Sequence, residues 1–274
     1  MRWRTEGGTD VASNSAERAV DWANGAVMVF GGGSGLGAAS ADSLAALGAR
    51  VAIVDVNRAA AEAVAGPLGD RGLALQADVA EEEPVQAAIA AVLDRWGAVR
   101  GVVHTAGIAI AERLLSRSGP HDLDRFRRVV SVNLVGTFNV MRLAARAMTA
   151  NAPDAEGQRG VIVVTASVAA FEGQVGQVAY ASSKGGVAAL VLPAARELAR
   201  DGIRVVGVAP GIFETPMMAG LPEAARQSLG RQVPFPPRLG RPSEYALLVQ
   251  QIFLNPMLNG TVIRLDGAIR MAPR

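Results

Sequence analysis

AVMVFGGGSGLGAASADSLAALG, residues 26–48, decides the architecture. Ala26 to Phe30 is a short apolar run that reads as a buried strand. Gly31-Gly32-Gly33-Ser34-Gly35-Leu36-Gly37 follows without a spacer, and an alanine-rich helix then runs to about Leu47-Gly48. Strand, glycine loop and helix in that order are the context in which a glycine motif carries meaning. A missing Cβ lets a pyrophosphate approach the backbone, and the helix N-terminus supplies N–H groups and a favourable dipole. Taken alone, the same glycines would also make a simple tight turn.

Working outward, residues 50–54 form the next strand and end at Asp55. A carboxylate there accepts hydrogen bonds from adenosine ribose hydroxyls and repels a 2′-phosphate, so the expected cofactor is NAD rather than NADP. Arg58 points the other way, since a nearby guanidinium accepts a phosphate. Residues 73–77 read as a third strand with Asp78-Val79 at its end, placed to meet an adenine. The competing role for Asp78 is a cap on a helix over 81–96. Residues 99–104 are a fourth strand opening into Thr105-Ala106-Gly107, small enough to lie against a cofactor. Residues 108–125 have no clear period and read as a surface excursion. A helix over 123–148 carries Asn133, a polar amide that must be hydrogen-bonded inside so apolar a stretch. Two readings of it stand: a structural tie to the backbone, or support of the catalytic lysine through an ordered water.

The chemistry is concentrated in VIVVTASVAAFEGQVGQVAYASSKGGVAA, residues 161–189. A buried strand over 161–164 leads into Thr165-Ala166-Ser167. Tyr180 and Lys184 follow on a helix, four residues apart and therefore on one face. A phenol near its ordinary pKa of about 10 is a poor base at neutral pH, and a neighbouring cation favours the phenolate. Ser167 is placed to hold the substrate oxygen that exchanges the proton. An ordinary surface pair is the bland alternative, and composition argues against it. Among 27 lysines and arginines Lys184 is the one lysine, and Tyr180 is one of 2 tyrosines. Lysine is a compact, tunable charge, whereas arginine stays protonated.

Further on, residues 203–208 form a strand closed by Pro210-Gly211, and Ile212-Phe213-Glu214-Thr215 leads back toward the cofactor. Residues 216–240 are rich in Met, Leu, Phe and Pro, including Met217, Met218 and Leu221. They suit a lid over an acyl chain or a flat ring system, or a packed helical excursion. Arg231, Arg238 and Arg241 are candidates for contacting phosphates at the mouth. Residues 259–265 form the last strand.

Composition excludes much else. With 274 residues, 50% of them hydrophobic, one large α/β domain over 24–274 is expected, with a flexible extension over 1–23. That extension has no apolar stretch and does not read as a signal peptide. A net charge of +2 without a basic stripe argues against nucleic acid, zero cysteines exclude thiol chemistry and disulfides, and 2 histidines leave little for a metal centre. No uninterrupted run approaches about 18 apolar residues, so no membrane span is expected.

FGGGSGLG, Asp55, Asp78-Val79, Thr105-Ala106-Gly107, Asn133, Ser167, Tyr180-x-x-x-Lys184 and Pro210-Gly211 together resemble the short-chain dehydrogenase/reductase family, over nearly the whole chain from about Asn24. The resemblance implies a Rossmann-type doubly wound parallel sheet with helices on both faces and NAD as cofactor. It also implies a homotetramer, cytoplasmic in bacterial relatives. The wording TASVAAFEGQVGQVAY, QVPFPPRLGRPSEYALLVQ and LNGTVIRLDGAIRM is similar to the branch that interconverts (S)-3-hydroxyacyl-CoA and 3-ketoacyl-CoA. A 17β-hydroxysteroid or other secondary alcohol is the alternative substrate, and a non-catalytic scaffold the alternative of another class. By this resemblance Tyr180 is the acid/base, Ser167 binds the substrate oxygen, Lys184 lowers the tyrosine pKa and holds the nicotinamide ribose, and Asn133 anchors a proton-relay water. The cofactor set becomes Gly31, Ser34, Gly35, Leu36, Gly37, Asp55, Asp78, Val79, Ala106, Gly107, Tyr180, Lys184, Pro210, Gly211 and Thr215, the last on the nicotinamide carboxamide. The substrate set becomes Ser167, Gln177, Tyr180, Phe213, Met217 and Leu221. Phe30 stands where the family has threonine and Thr105 where it has asparagine, which puts a loop hydrogen bond and a tie between central strands in question.

Overall fold

The structure is a computed structural model describing residues 25–219 and 223–273. The expected N-terminal extension and Leu221 lie outside the described residues. Seven strands form one parallel sheet: β1 Ala26–Phe30, β2 Arg50–Asp55, β3 Gly72–Gln76, β4 Val99–His104, β5 Gly160–Thr165, β6 Ile203–Pro210 and β7 Val262–Leu265. Their order across the sheet is β3-β2-β1-β4-β5-β6-β7, so the direction of winding reverses between β1 and β4. In such sheets ligands bind outside the carboxyl ends of the strands at this reversal.

Nine helices among the described residues complete the chain: α1 Gly35–Ala46, α2 Arg58–Ala65, α3 Glu82–Trp96, α4 Leu123–Val130, α5 Gly136–Met148, α6 Val178–Leu198, α7 Pro216–Ala219, α8 Glu223–Arg231 and α9 Pro242–Leu254. Strand residues alternate between two cores, as the period of two demands. Met28, Phe30, Val102, Ile162 and Val164 face α3, α5 and α6. Val27, Val29, Val103, Val161 and Val163 face α1, α2 and α9. The strands are apolar on both faces because both faces are covered.

Three local features depart from the sequence reading. Asp78 is not the cap of α3, which is Glu81; its carboxylate instead accepts from the amide of Ala80 at 2.9 Å, folding a turn before the helix. The helix over 123–148 is interrupted by a π-helical segment, Ser131–Val135. Such segments occur often at functional sites, and this one carries Asn133. The 108–125 excursion contains a short hairpin, Leu115–Ser116 with Gly119–Pro120, and ends where Asp122 caps α4 by accepting from Asp124 and Arg125 amides at 2.7 and 3.2 Å. A cap of that kind is worth about 1 kcal/mol.

One helix bears on the expectation about membrane spans. Among the described residues one helical stretch, Val178–Asp201, is long and apolar enough to cross a membrane, with mean hydropathy 1.2. Alanine, valine and leucine set that value. In the fold, Ala179, Val187, Val191 and Ala195 of this stretch pack in the core and Lys184 is buried within it.

Candidate active site

At the reversal point the end of β1 turns sharply. Gly31 and Gly35 adopt φ of +74° and +52°, a region that glycine enters without strain. A Cβ on Gly31 would strike the backbone of Ala106, and one on Gly37 the carbonyl of Gly31. The loop therefore lies flat against the end of β4. Ser34 precedes α1 in extended conformation with no side-chain cap, which leaves the first turn of that helix open to a ligand. Asp55, at the end of β2, accepts from the amides of Gly33 at 3.0 Å and Asn57 at 2.9 Å. These bonds fix its carboxylate beside the glycine loop. Arg58 is exposed and paired with Glu62 at 2.7 Å.

Both departures from the family pattern have a structural answer. Thr105 still ties the central strands, its hydroxyl reaching the carbonyl of Phe30 at 3.0 Å and that of Gly31 at 3.2 Å. Phe30 is fully buried and stacks on the His104 ring, with centroids 6.2 Å apart.

β5 delivers Thr165 and then Ser167, and α6 brings Tyr180 and Lys184 to the same edge. Tyr180 and Ser167 share a hydrogen bond. Burial pushes the Tyr180 phenol above its ordinary value, and the Ser167 bond pulls it back down. Lys184 Nζ lies 5.9 Å from the centre of the Tyr180 ring and donates to the Thr165 carbonyl at 2.7 Å. Burial lowers its pKa from 10.5 to about 8, so the ammonium is held at real cost. Neutral His104, buried beside it, has its pKa lowered to about 3, first by burial and then by the Lys184 charge.

Asn133 is fully engaged. Its amide nitrogen donates to Ile108 O at 2.9 Å and Ser183 Oγ at 3.0 Å, and its oxygen accepts from Ile108 N at 2.8 Å. It staples the segment after β4 to α6. A Cβ on Gly107 would come within 3.2 Å of Asn133 Oδ1 and 3.4 Å of Lys184 Nζ, so glycine lets these three converge.

A cavity of about 940 Å³ lies between the glycine loop and the 214–242 region, lined among others by Gly35, Thr215, Met218, Arg231 and Leu239. Thr215 sits directly against Gly35. Phe213 does not line this cavity; it is buried in the α9-side core, where its ring packs on Gly240. Met217 falls in α7. Gln177 precedes α6, and its side-chain oxygen accepts from the amide of Gln174 at 3.1 Å. Val79 is buried with its carbonyl held by Asn139 at 3.0 Å, and Asp78 is exposed at the end of β3. Pro210 ends β6, and the Gly211 amide donates to Leu265 O at 2.9 Å.

Several residues at this edge went unnoticed in the sequence. The loop between Ser167 and Tyr180 is strapped down by the C-terminal segment. Glu172 takes a double contact from Arg264 at 2.8 and 3.3 Å and accepts from the Met271 amide at 3.0 Å, and the Val175 amide donates to Pro273 O at 3.0 Å. Arg264 in turn holds the Glu172 carboxyl below the usual carboxylate range. Tyr245 joins Thr165 from α9. Scarcity was its available signal, since it is the second of 2 tyrosines.

Comparison with known proteins follows this geometry closely. A family model described as short chain dehydrogenase matches residues 25–226. The chain is 53% identical over 248 residues to the human 3-hydroxyacyl-CoA dehydrogenase type-2, covering 90% of this chain and 95% of that one. The Drosophila melanogaster protein of the same name is 50% identical, over 91% of this chain and 99% of its own. The crystal structure of 3-hydroxyacyl-CoA dehydrogenase type-2 from Mycobacterium avium superposes with a TM-score of 0.88 at 39% identity, covering 93% of this chain and all 100% of that one.

Proposed function

The chain belongs to the short-chain dehydrogenase family, and from that premise we propose that it interconverts (S)-3-hydroxyacyl-CoA and 3-ketoacyl-CoA in an NAD-dependent reaction. The observation that carries the chemistry is the Ser167–Tyr180 hydroxyl pair with a buried ammonium one turn away. The observation that fits the cofactor is the flat glycine cradle with a fixed carboxylate beside it. When bound, NAD accepts the hydride that leaves the carbinol carbon.

The chain's own residues bind, orient and move the proton. Gly31, Ser34, Gly35, Leu36 and Gly37 offer the pyrophosphate an uncapped helix end. Asp55 reads the ribose hydroxyls, and with Arg58 paired to Glu62 its negative charge stands against a 2′-phosphate. Asp78 and Val79 flank the adenine. Ala106, Gly107, Pro210 and Gly211 form close-fitting walls, and Thr215 holds the carboxamide. Ser167 orients the substrate oxygen. Tyr180, as phenolate, takes the hydroxyl proton, and in the reverse direction returns it. Burial disfavours that phenolate, so the Lys184 charge is what makes the group usable near neutral pH. Asn133, tied to Ile108 and Ser183, holds the segment around Gly107 in register.

Support for a thioester substrate comes from the relatives' names and from the cavity beside α7 and α8, which offers room for an acyl chain. Arg231 is exposed at its rim and free to approach phosphates of coenzyme A. Arg238 is less available, being clamped to Glu244 at 2.9 and 2.6 Å. The reading extends to a homotetramer working in the cytoplasm. Exposed Val135 and Phe138 around α5 and exposed Leu192 on α6 support the assembly, since such side chains on neighbouring helices suit a subunit contact.

The test is a comparison of kcat/KM for 3-hydroxybutyryl-CoA, a branched 2-methyl-3-hydroxyacyl-CoA and a 17β-hydroxysteroid, each with NAD and with NADP. A thioester with NAD is expected to lead. Apolar pockets discriminate by only about 1–3 kcal/mol per methylene, so some activity on the steroid is expected too. A steroid that exceeded both thioesters by more than about tenfold, well outside that overlap, would transfer the assignment to steroid oxidation. A preference for NADP would overturn the role of Asp55.

A further inference from the structure

Tyr245 is fully buried on α9 among apolar residues, and no step of the proposed reaction uses it. Its phenolic oxygen lies 2.7 Å from Thr165 Oγ1. Thr165 Oγ1 in turn donates to the His104 carbonyl at 2.6 Å. A hydroxyl has one proton to give. Thr165 gives its proton to His104, so Tyr245 is the donor in the pair, and burial, which pushes its phenol up, keeps that proton in place. The line of bonds crosses from α9 through the end of β5 to the end of β4. It sits one residue past the last ladder pair, His104 with Val164, where the two strands would otherwise part.

Thr165 also faces the other layer. Its carbonyl accepts from Lys184 Nζ at 2.7 Å, so its side chain is anchored on α9 while its main chain holds the ammonium arriving from α6. Three groups face that ammonium: Tyr180 on its own helix, neutral His104 on β4, and Asn133 across Gly107.

We propose that Tyr245 is a positioning residue for the reaction: by fixing Thr165 it fixes the acceptor that keeps Lys184 beside Tyr180. The proposal rests on the acid–base reading of Tyr180 and Lys184 given above. A buried hydrogen bond that only stabilises the fold would lower the melting temperature and leave the chemistry of the folded enzyme alone. A positioning bond does more, because a displaced ammonium favours the phenolate less.

The experiment compares Tyr245→Phe, Thr165→Val, Thr165→Ser and the Tyr245→Phe/Thr165→Val double variant by NAD affinity, KM, and the pH profile of kcat for alcohol oxidation. Tyr245→Phe is expected to bind NAD and substrate as the wild type does. Its kcat should fall about tenfold, short of the roughly hundredfold that a full ångström of misplacement can cost. The acidic limb of its profile should move to higher pH, because the phenolate then forms later. Thr165→Ser, which keeps the hydroxyl, should retain the wild-type profile. Thr165→Val should show the shift, and the double variant should be no worse than Thr165→Val alone. A folded Tyr245→Phe enzyme whose profile superposes on the wild type would overturn the proposal, as would additive losses in the double variant. If Tyr245→Phe does not fold, the Thr165 pair decides: a shift in Val restored in Ser upholds the proposal, and no shift in Val ends it. Failure of the underlying acid–base reading looks different, since Tyr180 or Lys184 variants would then keep their turnover.

Discussion

Tyr180→Phe is expected to keep much of its NAD binding and to turn over at least about 10³-fold more slowly, within the range by which positioned acid–base groups accelerate proton transfer. The substitution removes one hydroxyl and its bond to Ser167 and leaves the ring's packing intact. Most cofactor contacts lie on other elements, among them the glycine loop, Asp55 and Thr215, so a dissociation constant for NAD measured by fluorescence titration should move little while kcat collapses. Removal of an interaction made only in the transition state lowers kcat and kcat/KM together. A variant that kept near-wild-type turnover would remove Tyr180 from the mechanism.

Lys184→Met is expected to lose turnover by about 10²-fold or more, for the same acid–base reason, and yet to be the more stable protein at pH 7. Burial lowers the lysine pKa from 10.5 to about 8. Below the folded value both folded and unfolded chains carry the charge, and folding must desolvate it, at roughly 3 kcal/mol for a shift of this size. Between the two values the unfolded chain binds more protons than the folded one, so wild-type stability rises with pH through that window. Methionine carries no charge and avoids this cost, although it leaves the Thr165 carbonyl without its donor, a loss of about 1–2 kcal/mol. A net gain of about 1 kcal/mol corresponds to roughly 2–4 °C in a chain of this size. Denaturation followed at pH 7 and again near pH 10 should show that advantage shrinking or reversing as wild-type Lys184 loses its proton. An advantage that grew with pH would contradict the assigned cost.

The same residue explains what could be read in one dimension and what could not. Lys184 stood out because the chain uses arginine everywhere else, and the glycine loop, Asp55 and the strand pattern stood out because each obeys a local rule. Period-two apolar alternation hides in strands covered on both faces, yet their short runs, bounded by Gly and Asp, still marked the sheet. The partners of Lys184 obey no such rule. Thr165 and Tyr245 lie far apart in sequence and meet through the sheet edge, and Glu172 meets Arg264 and Met271 in the same way. Phe213 read as a pocket residue because apolar side chains at strand ends suit either a pocket or a core, and only packing against Gly240 decides. The π-helical segment at Asn133 left no mark either, since its apolar neighbours fit a continuous helix.

The most direct test of the central claim is the fate of hydrogen at the reacting carbon. (S)-3-Hydroxybutyryl-CoA carrying deuterium at C3, incubated with the enzyme and NAD, should yield 3-ketobutyryl-CoA and reduced cofactor with the deuterium on the nicotinamide ring, one label for each product formed. Deuterium released to water, or retained at C3 with no reduced cofactor formed, would contradict it.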